Sequence, residues 1–340
     1  MTESTRQHDR DHSGPIDTLE WGQLSDWAQL VRLPNTFTLL SDTLAAAVVA
    51  VGGFMPLSAL LPTVVASLCA YWAGMILNDV VDIDQDREHR PSRPLAAGKI
   101  SPAIAGQVAK GMLLFAPILV LATNTFHVAN QLWLGAAFVA SGALSASVLS
   151  YNSILKSTPL GPMLMGLCRS LNILMVGSTM LAVNSPDGAL DWPIGLFAFA
   201  SGIGIYILGV TVYASSEEGE SQPSVLAAGM FFEVVGLATI AATPWWMNEH
   251  GSAPAAWSLS PQGGFPLLIT LIALTVLNRG LGGVMQPVAR KVQLAVRHAI
   301  LTLILIDAGV VLMWAGPWLA LGIVLMLAPA LSTAIRFRST

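Results

Sequence analysis

Ten apolar segments dominate this chain, and each is long enough to cross a lipid bilayer. A spanning helix needs about 17–25 predominantly apolar residues. Spans are predicted at 36–53, 57–77, 102–123, 131–150, 161–183, 193–213, 224–247, 265–283, 297–314 and 317–335. The segment 265–283 is the weakest, because Asn278, Arg279 and several glycines lie at its end. The sequence therefore predicts an all-α, polytopic membrane bundle of nine to ten transmembrane helices.

Composition supports a membrane location and separates off the N-terminal residues. Only 11% of the 340 residues are charged, whereas a soluble domain has about 25%. Residues 1–33 are polar and acidic, and they predict a tail followed by a short interfacial helix in which Trp21 and Trp27 lie at headgroup level. Residues 34–340 are predicted to form a single transmembrane domain. No basic face suits a nucleic acid, so membrane lipid is the expected environment.

The Lys and Arg residues predict the orientation. Four of the 16 lie within or at the edges of the predicted spans, and the other twelve lie in the tails and in loops on one side. The loops of the opposite side contain none. Because basic residues accumulate in cytoplasmic loops, we expect a multi-pass protein of the cytoplasmic (inner) membrane, with its N-terminus and its charged loops in the cytoplasm.

A cluster of charged residues at 78–101 carries the strongest chemical signal. Asn78, Asp82 and Asp86 recur every four residues, so on a helix they form one stripe of amide and carboxylate oxygens. Mg²⁺ prefers such oxygens and commonly bridges one or two carboxylates to substrate phosphates. Basic residues follow at once, among them Arg93, and guanidinium groups suit phosphate oxygens. A charged cytoplasmic loop would explain the basic residues but not the acidic stripe, so the stripe predicts a site for Mg²⁺ and a diphosphate.

The residues of this cluster resemble the first signature of the UbiA family of intramembrane prenyltransferases. The matching pattern is NDxxDxxxD at 78–86 followed by RPLxxGxIS at 93–101. The resemblance extends to the multi-span layout, to Tyr151 and Lys156 after the fourth span, and to an acidic loop after the sixth.

This resemblance implies a fold, an activity and a set of roles. The fold would be an all-α bundle around a central cavity open to lipid. The activity would be ionisation of an isoprenoid diphosphate with Mg²⁺ and transfer of the prenyl group to an aromatic or other small acceptor. The implied Mg²⁺ ligands are Asn78, Asp82 and Asp86, and the implied diphosphate-binding cations are Arg93 and Lys156. Tyr151 is expected among the substrate-binding residues.

The second signature of the family is altered in this chain. Its usual DxxxD pattern aligns with Ser216 to Glu220, so serine replaces the first aspartate and glutamate the last. Glu217 and Glu220 are the candidate metal ligands in this loop, and a solvated acidic turn is the alternative interpretation. The departure leaves open the second metal site, activation of the acceptor and turnover itself.

Arg169 and Asn172 form a second departure, one helical turn apart inside the fifth predicted span. An intramembrane Arg is by default a functional-site hypothesis. Arg169 is expected to reach the diphosphate or an anionic acceptor, or else to pair with Glu233 or Asp307 in other spans. With the altered second signature, this pattern resembles UbiA-like proteins encoded in ebo gene clusters.

Two polar residues enter the first predicted span, Asn35 and Asp42. Asn35 is expected to face the cavity and bind substrate. Asp42 is expected either to face the cavity or to pair locally.

The function that these patterns favour is Mg²⁺-dependent prenyl transfer. Two alternatives remain because the second signature is altered: an intramembrane terpene cyclase that quenches the cation internally, and a non-catalytic binder or carrier in metabolite export. Composition and motifs predict neither the prenyl chain length nor the acceptor, and they indicate no protein partner.

Overall fold

The computed structural model describes residues 21–123, 128–186, 193–215, 222–250 and 256–336, and its regular elements over these ranges are all helical. The helices are α1 Leu24–Leu30, α2 Leu33–Val51, α3 Leu57–Val81, α4 Ile83–His89, α5 Pro102–Ala122, α6 Gln131–Ser150, α7 Leu160–Asn184, α8 Ile194–Ala214, α9 Pro223–Glu249, α10 Gly264–Met285, α11 Ala289–Ala315, α12 Pro317–Val324 and α13 Leu327–Arg336. A π-helical turn, Tyr151–Leu155, continues α6.

Ten of these helical segments are long and apolar enough to span a membrane. The tenth comprises α12 and α13 together, so the predicted all-α bundle is confirmed with ten spans, and the chain is an integral, multi-pass membrane protein. Two of the spans predicted from hydropathy are shorter than the helices that contain them. Helix α3 continues to Val81 rather than 77, and α11 begins at Ala289 rather than 297, because the charged turns at these ends are helical without being apolar.

Helices α8 and α9 pack closely through glycines that face each other. A Cβ atom built on Gly209 would lie 2.6 Å from the carbonyl oxygen of Gly229, and one built on Gly236 would lie 2.6 Å from that of Gly202. Small residues allow transmembrane backbones to approach this closely. The contact depends on hydrogen as the side chain at these four positions.

Helix α2 is central to the bundle, with Ala45, Ala46, Ala47 and Val48 all inaccessible to solvent. It packs against α3, α7, α11 and α13. A polar residue on α2 therefore meets helices from both halves of the chain.

Helix α1 lies within the region predicted to be an interfacial helix. Trp27 donates a hydrogen bond through Nε1 to the carbonyl of Trp21, at 2.7 Å. Asp26 pairs with Lys99 at 3.3 Å, which connects α1 to the loop after α4. The division of the chain at residue 33 stays a prediction.

Candidate functional site

A cavity opens among the helices, with about 1090 Å³ of empty space when the part open to the surroundings is included. Most of its lining is apolar, and the polar lining residues are Arg32, Asn35, Ser67, Tyr71, Asn78, Tyr151, Asn152, Arg169, Asn172 and Thr211. Ligand sites in proteins are typically concave, mostly apolar and equipped with a few polar groups. The predicted residues Asn35, Asn78, Tyr151, Arg169 and Asn172 thus share one cavity.

The Asn78–Asp82–Asp86 stripe begins at the cavity wall with Asn78, and it lies on two helices rather than one. Helix α3 ends at Val81 and α4 begins at Ile83, with Asp82 between them. Four-residue spacing persists across the junction, because the amide of Asp82 bonds the carbonyl of Asn78 at 3.0 Å and that of Asp86 bonds the carbonyl of Asp82 at 2.8 Å. Asn78 and Asp82 are in side-chain contact, and Asp86 lies one helical turn further on, where it contacts Arg93.

Asp82 joins this stripe to the end of α6. Its Oδ2 accepts a hydrogen bond from Asn78 Nδ2 at 3.3 Å and forms an ion pair with Lys156. Lys156 follows the π-helical turn that carries Tyr151 and Asn152. Lys156 is 74 residues from Asp82 in sequence, so the fold brings them together.

Arg93 holds the acidic residues of α3 and α4 together. Its Nη1 lies 2.7 Å from Asp86 Oδ2 and 3.2 Å from Asp79 Oδ1. Arg32, at the start of α2, also reaches Asp79 Oδ1, at 3.4 Å. Asp86 is 4% exposed, and a carboxylate buried to that extent needs a cationic partner.

The donor set of the stripe fits Mg²⁺ chemically. Asn78, Asp82 and Asp86 supply one amide and two carboxylate groups, all hard oxygen donors. Each carboxylate contacts a different cation, Lys156 or Arg93. Over the described ranges, no group of three or more His, Cys, Asp or Glu side chains is arranged to hold a metal ion. One amide and two carboxylates leave several positions of an octahedral Mg²⁺ ion to a ligand's own oxygens or to water.

Arg169 lies deeper in the bundle and forms an ion pair with Asp42. Its Nη2 donates a hydrogen bond to Thr38 Oγ1 at 3.1 Å, and its guanidinium carbon lies 5.8 Å from the centre of the Tyr71 ring. The alternative interpretation, an ion pair with Glu233 or Asp307, was wrong, because the carboxylate partner is Asp42. The reason is packing, since α2 lies between α7 and α11 and presents Asp42 directly to Arg169. Contact of Arg169 with a diphosphate or an anionic acceptor stays a prediction.

Asp307 nevertheless belongs to the same buried cluster. It accepts a hydrogen bond from Ser41 Oγ at 2.5 Å, and its carboxyl lies within hydrogen-bonding reach of Asp42. Both carboxyl groups are inaccessible to solvent. Sequence reasoning named Asp42, Arg169 and Asp307 but did not place all three together, because a single Asp in each of two distant spans carries no spacing signal.

Asn172 and two unpredicted residues supply further polar groups to the cavity wall. Asn172 Nδ2 donates to Thr43 Oγ1 at 3.3 Å. Asn152 donates from Nδ2 to the carbonyl of Val148 at 2.9 Å. Ser67 lines the wall from α3. Only Asn152 had a sequence signal, its position next to Tyr151.

Glu217 and Glu220 lie outside the described residues, as does Ser216. Their role as ligands of a second metal ion stays a prediction.

Comparisons with known proteins agree with this architecture. A solved structure of digeranylgeranylglyceryl phosphate synthase in membranes superposes with a TM-score of 0.58, at 16% identity, over 86% of this chain and 98% of that one. At this identity the likeness concerns the fold alone.

Two relatives match over shorter stretches. Digeranylgeranylglyceryl phosphate synthase of Methanoculleus marisnigri is 35% identical over 102 residues, which cover 30% of this chain. 4-Hydroxybenzoate octaprenyltransferase of Shewanella loihica is 36% identical over 98 residues, or 28% of this chain. The aligned stretches span only 35% and 34% of these relatives' own lengths.

The family match covers most of the chain. The model of the UbiA prenyltransferase family aligns with residues 39–278, which include the Asn78–Asp86 stripe, Lys156 and Arg169. With this match and the shared fold, the chain belongs to the UbiA prenyltransferase family.

Proposed function

We propose that this protein is a Mg²⁺-dependent prenyltransferase that ionises an isoprenoid diphosphate and transfers the prenyl group to a small acceptor. One observation carries the proposal. The Asn78–Asp82–Asp86 stripe is linked to Lys156 and Arg93, and through Asn78 it adjoins a largely apolar cavity. The names of the two matched relatives, digeranylgeranylglyceryl phosphate synthase and 4-hydroxybenzoate octaprenyltransferase, support the same reaction class.

The charged end of the cavity has the groups that bind a departing diphosphate. Asn78, Asp82 and Asp86 would hold Mg²⁺, which supplies positive charge for the leaving group. Lys156 and Arg93 would exchange part of their contact with the carboxylates for the phosphate oxygens. Fixed positive charge beside the breaking carbon–oxygen bond stabilises the charge that develops there, which is the main source of rate in such reactions.

The apolar part of the cavity would hold the isoprenoid chain and keep water from the allyl cation. Lining residues such as Leu39, Leu144, Met165 and Ile207 are all hydrophobic. Exclusion of water also strengthens every electrostatic contact at the charged end, because the local dielectric is low.

The distribution of basic residues supports an orientation. We propose that the end of the cavity with Asp82 faces the cytoplasm, since Arg87, Arg93, Lys99 and Lys156 lie there. The acidic loop with Glu217 and Glu220 would approach from the same side and add metal ligands.

Replacing Asp82 with asparagine tests the proposal. We expect the rate of diphosphate release to fall about 10²–10³-fold, because the change removes one charge from the metal and diphosphate site. The assay uses purified protein in lipid nanodiscs with Mg²⁺, geranyl to geranylgeranyl diphosphates and an aromatic acceptor.

Asp84→Asn is the matched control. Asp84 is two residues away, and its side chain is 91% exposed, paired only with Arg87 at the surface. We expect its rate to stay within about twofold of wild type, as exposed pairs contribute little. Equal rates for wild type and Asp82→Asn, or full activity in EDTA, would refute the proposal. A cyclic product formed without any acceptor would instead establish a terpene cyclase.

A further inference from the structure

Three buried polar atoms of the cavity wall have no hydrogen-bond partner among the described residues: Ser67 Oγ, Asn152 Oδ1 and Asn172 Oδ1. Their residues are 1%, 5% and 2% exposed, and all three line the cavity. Leaving such an atom unsatisfied costs about 1–3 kcal/mol. These atoms therefore keep unused hydrogen-bonding capacity in residues that line the cavity.

Neighbouring contacts decide which way the two amides point. Asn152 contacts the carbonyl of Val148, which can only accept, so the amide nitrogen must face it. Asn172 contacts Thr43 Oγ1. That hydroxyl already donates its single hydrogen to the carbonyl of Leu39 at 2.8 Å, so it too can only accept from Asn172. Both side chains are thus left with an acceptor oxygen at the cavity wall.

The positive charge that Arg169 brings to this wall is balanced by nearby carboxyl groups. Arg169, the one cation within the α7 part of the lining, is paired with Asp42, and a second carboxyl, Asp307, lies beside that pair. The Asp42 carboxylate therefore cancels the positive charge of Arg169, whether Asp307 is protonated or ionised. Arg32, the other cation of the lining, is paired with Asp79. A carboxylate ligand here would therefore meet two acceptor oxygens and cations that already have carboxylate partners.

We infer that this wall is a binding subsite for a neutral acceptor that bears hydroxyl groups, whose hydrogens are donated to Asn152 Oδ1 and Asn172 Oδ1. The inference rests on the proposed function in one respect: the ligand of this wall is an acceptor only if the protein transfers a prenyl group. It assigns the diphosphate to the charged end at Asp82, and a phenol or alcohol rather than a carboxylate to the amide wall.

Three small aromatic probes that share one ring test this subsite: hydroquinone, 1,4-dimethoxybenzene and 4-hydroxybenzoate. Binding is measured by ligand-observed NMR on the full-length protein in nanodiscs, and the signal of empty nanodiscs is subtracted. We expect hydroquinone to bind about tenfold more tightly than either of the others, the equivalent of one net hydrogen bond. The dimethoxy compound lacks donors, and the benzoate carries the wrong charge.

Two substitutions connect the preference to the wall. Asn172→Leu and Asn152→Leu are each expected to reduce the preference for hydroquinone over 1,4-dimethoxybenzene to about twofold or less. Asn184→Leu is the matched control. It lies on α7 too, but it bonds the carbonyls of Met55 and Met180 instead of lining the cavity, and it should retain the preference. If Asn172→Leu does not fold, Asn152→Leu decides.

The outcomes separate this inference from the proposed function. Equal binding of hydroquinone and 1,4-dimethoxybenzene, or tighter binding of 4-hydroxybenzoate, overturns the subsite even if diphosphate release depends on Asp82. A hydroquinone preference that is lost in the Asn variants establishes the subsite, even if no diphosphate is released.

Discussion

Asp42→Asn is expected to destabilise the protein by about 3–5 kcal/mol, because it leaves the Arg169 guanidinium without its counter-charge inside the bundle. The Asp42 side chain is 0% exposed and that of Arg169 13%. Asparagine retains the shape of the side chain and removes only the charge. The measurement is the free energy of unfolding in mixed detergent micelles, titrated with SDS.

A double-mutant cycle provides the control for this prediction. Asp42→Asn combined with Arg169→Gln removes both charges, so we expect the double variant to be more stable than the sum of the two single effects implies. Strict additivity would show that the ion pair contributes no coupling energy.

Asp307→Asn is expected to change the stability by only about 1 kcal/mol, although Asp307 is as deeply buried as Asp42. Ser41 Oγ lies 2.9 Å from the carbonyl of Thr38 and 2.5 Å from Asp307 Oδ2, and its single hydrogen can serve only one of them. The contact between the Asp42 and Asp307 carboxyls also needs a hydrogen. Ser41 donates to Asp307 Oδ2, and one proton on Asp307 supplies the hydrogen of the contact with Asp42. A neutral amide, which accepts from Ser41 and donates to Asp42, is therefore a close substitute. A larger loss for Asp307→Asn than for Asp42→Asn would contradict this assignment.

Gly209→Ala carries the second large expected effect. Its Cβ would lie 2.5 Å from the backbone nitrogen of Glu233 and 2.6 Å from the carbonyl oxygen of Gly229. These are backbone atoms of α9, so α8 and α9 must separate, and overpacking of this kind costs about 1–3 kcal/mol. Because α8 also lines the cavity through Val210 and Thr211, we expect reduced prenyl transfer along with a lower melting temperature.

Gly111→Ala is the matched control for that substitution. It lies within a spanning helix, α5, where a Cβ would meet nothing within 4 Å. We expect no loss, and a gain of up to about 1 kcal/mol from the higher helix propensity of alanine. If Gly209→Ala and Gly111→Ala behaved alike, close α8–α9 contact would not be what the glycine at 209 provides.

Periodicity and hydropathy predicted much of this molecule. The ten spans follow from segment length, since a bilayer of fixed thickness demands a fixed number of apolar residues. The Asn78–Asp86 stripe follows from helical spacing, because residues four apart lie on one face. Both are local properties of the chain. The family was likewise predictable, because its first signature is contained in residues 78–101.

Partners across the bundle were not predictable in this way. The sequence shows Arg169 as an expensive intramembrane charge, but its counter-ion is 127 residues away at Asp42, and the candidates at 233 and 307 were equally plausible by composition. The same holds for the amide wall, where the direction of Asn152 and Asn172 depends on which neighbours already use their hydrogens.

Ten segments able to span a membrane, and a stripe of amide and carboxylate groups spaced four residues apart, could thus be identified from the sequence alone. Length, polarity and helical period are properties of short segments, so no knowledge of packing was needed. Helix packing, in contrast, places Lys156 beside Asp82 and Asp42 beside Arg169. It also leaves two amide oxygens of the cavity lining without a hydrogen-bond partner. Pairings of this kind depend on which helix faces meet, and that is set by close contacts such as the α8–α9 glycines and the central position of α2.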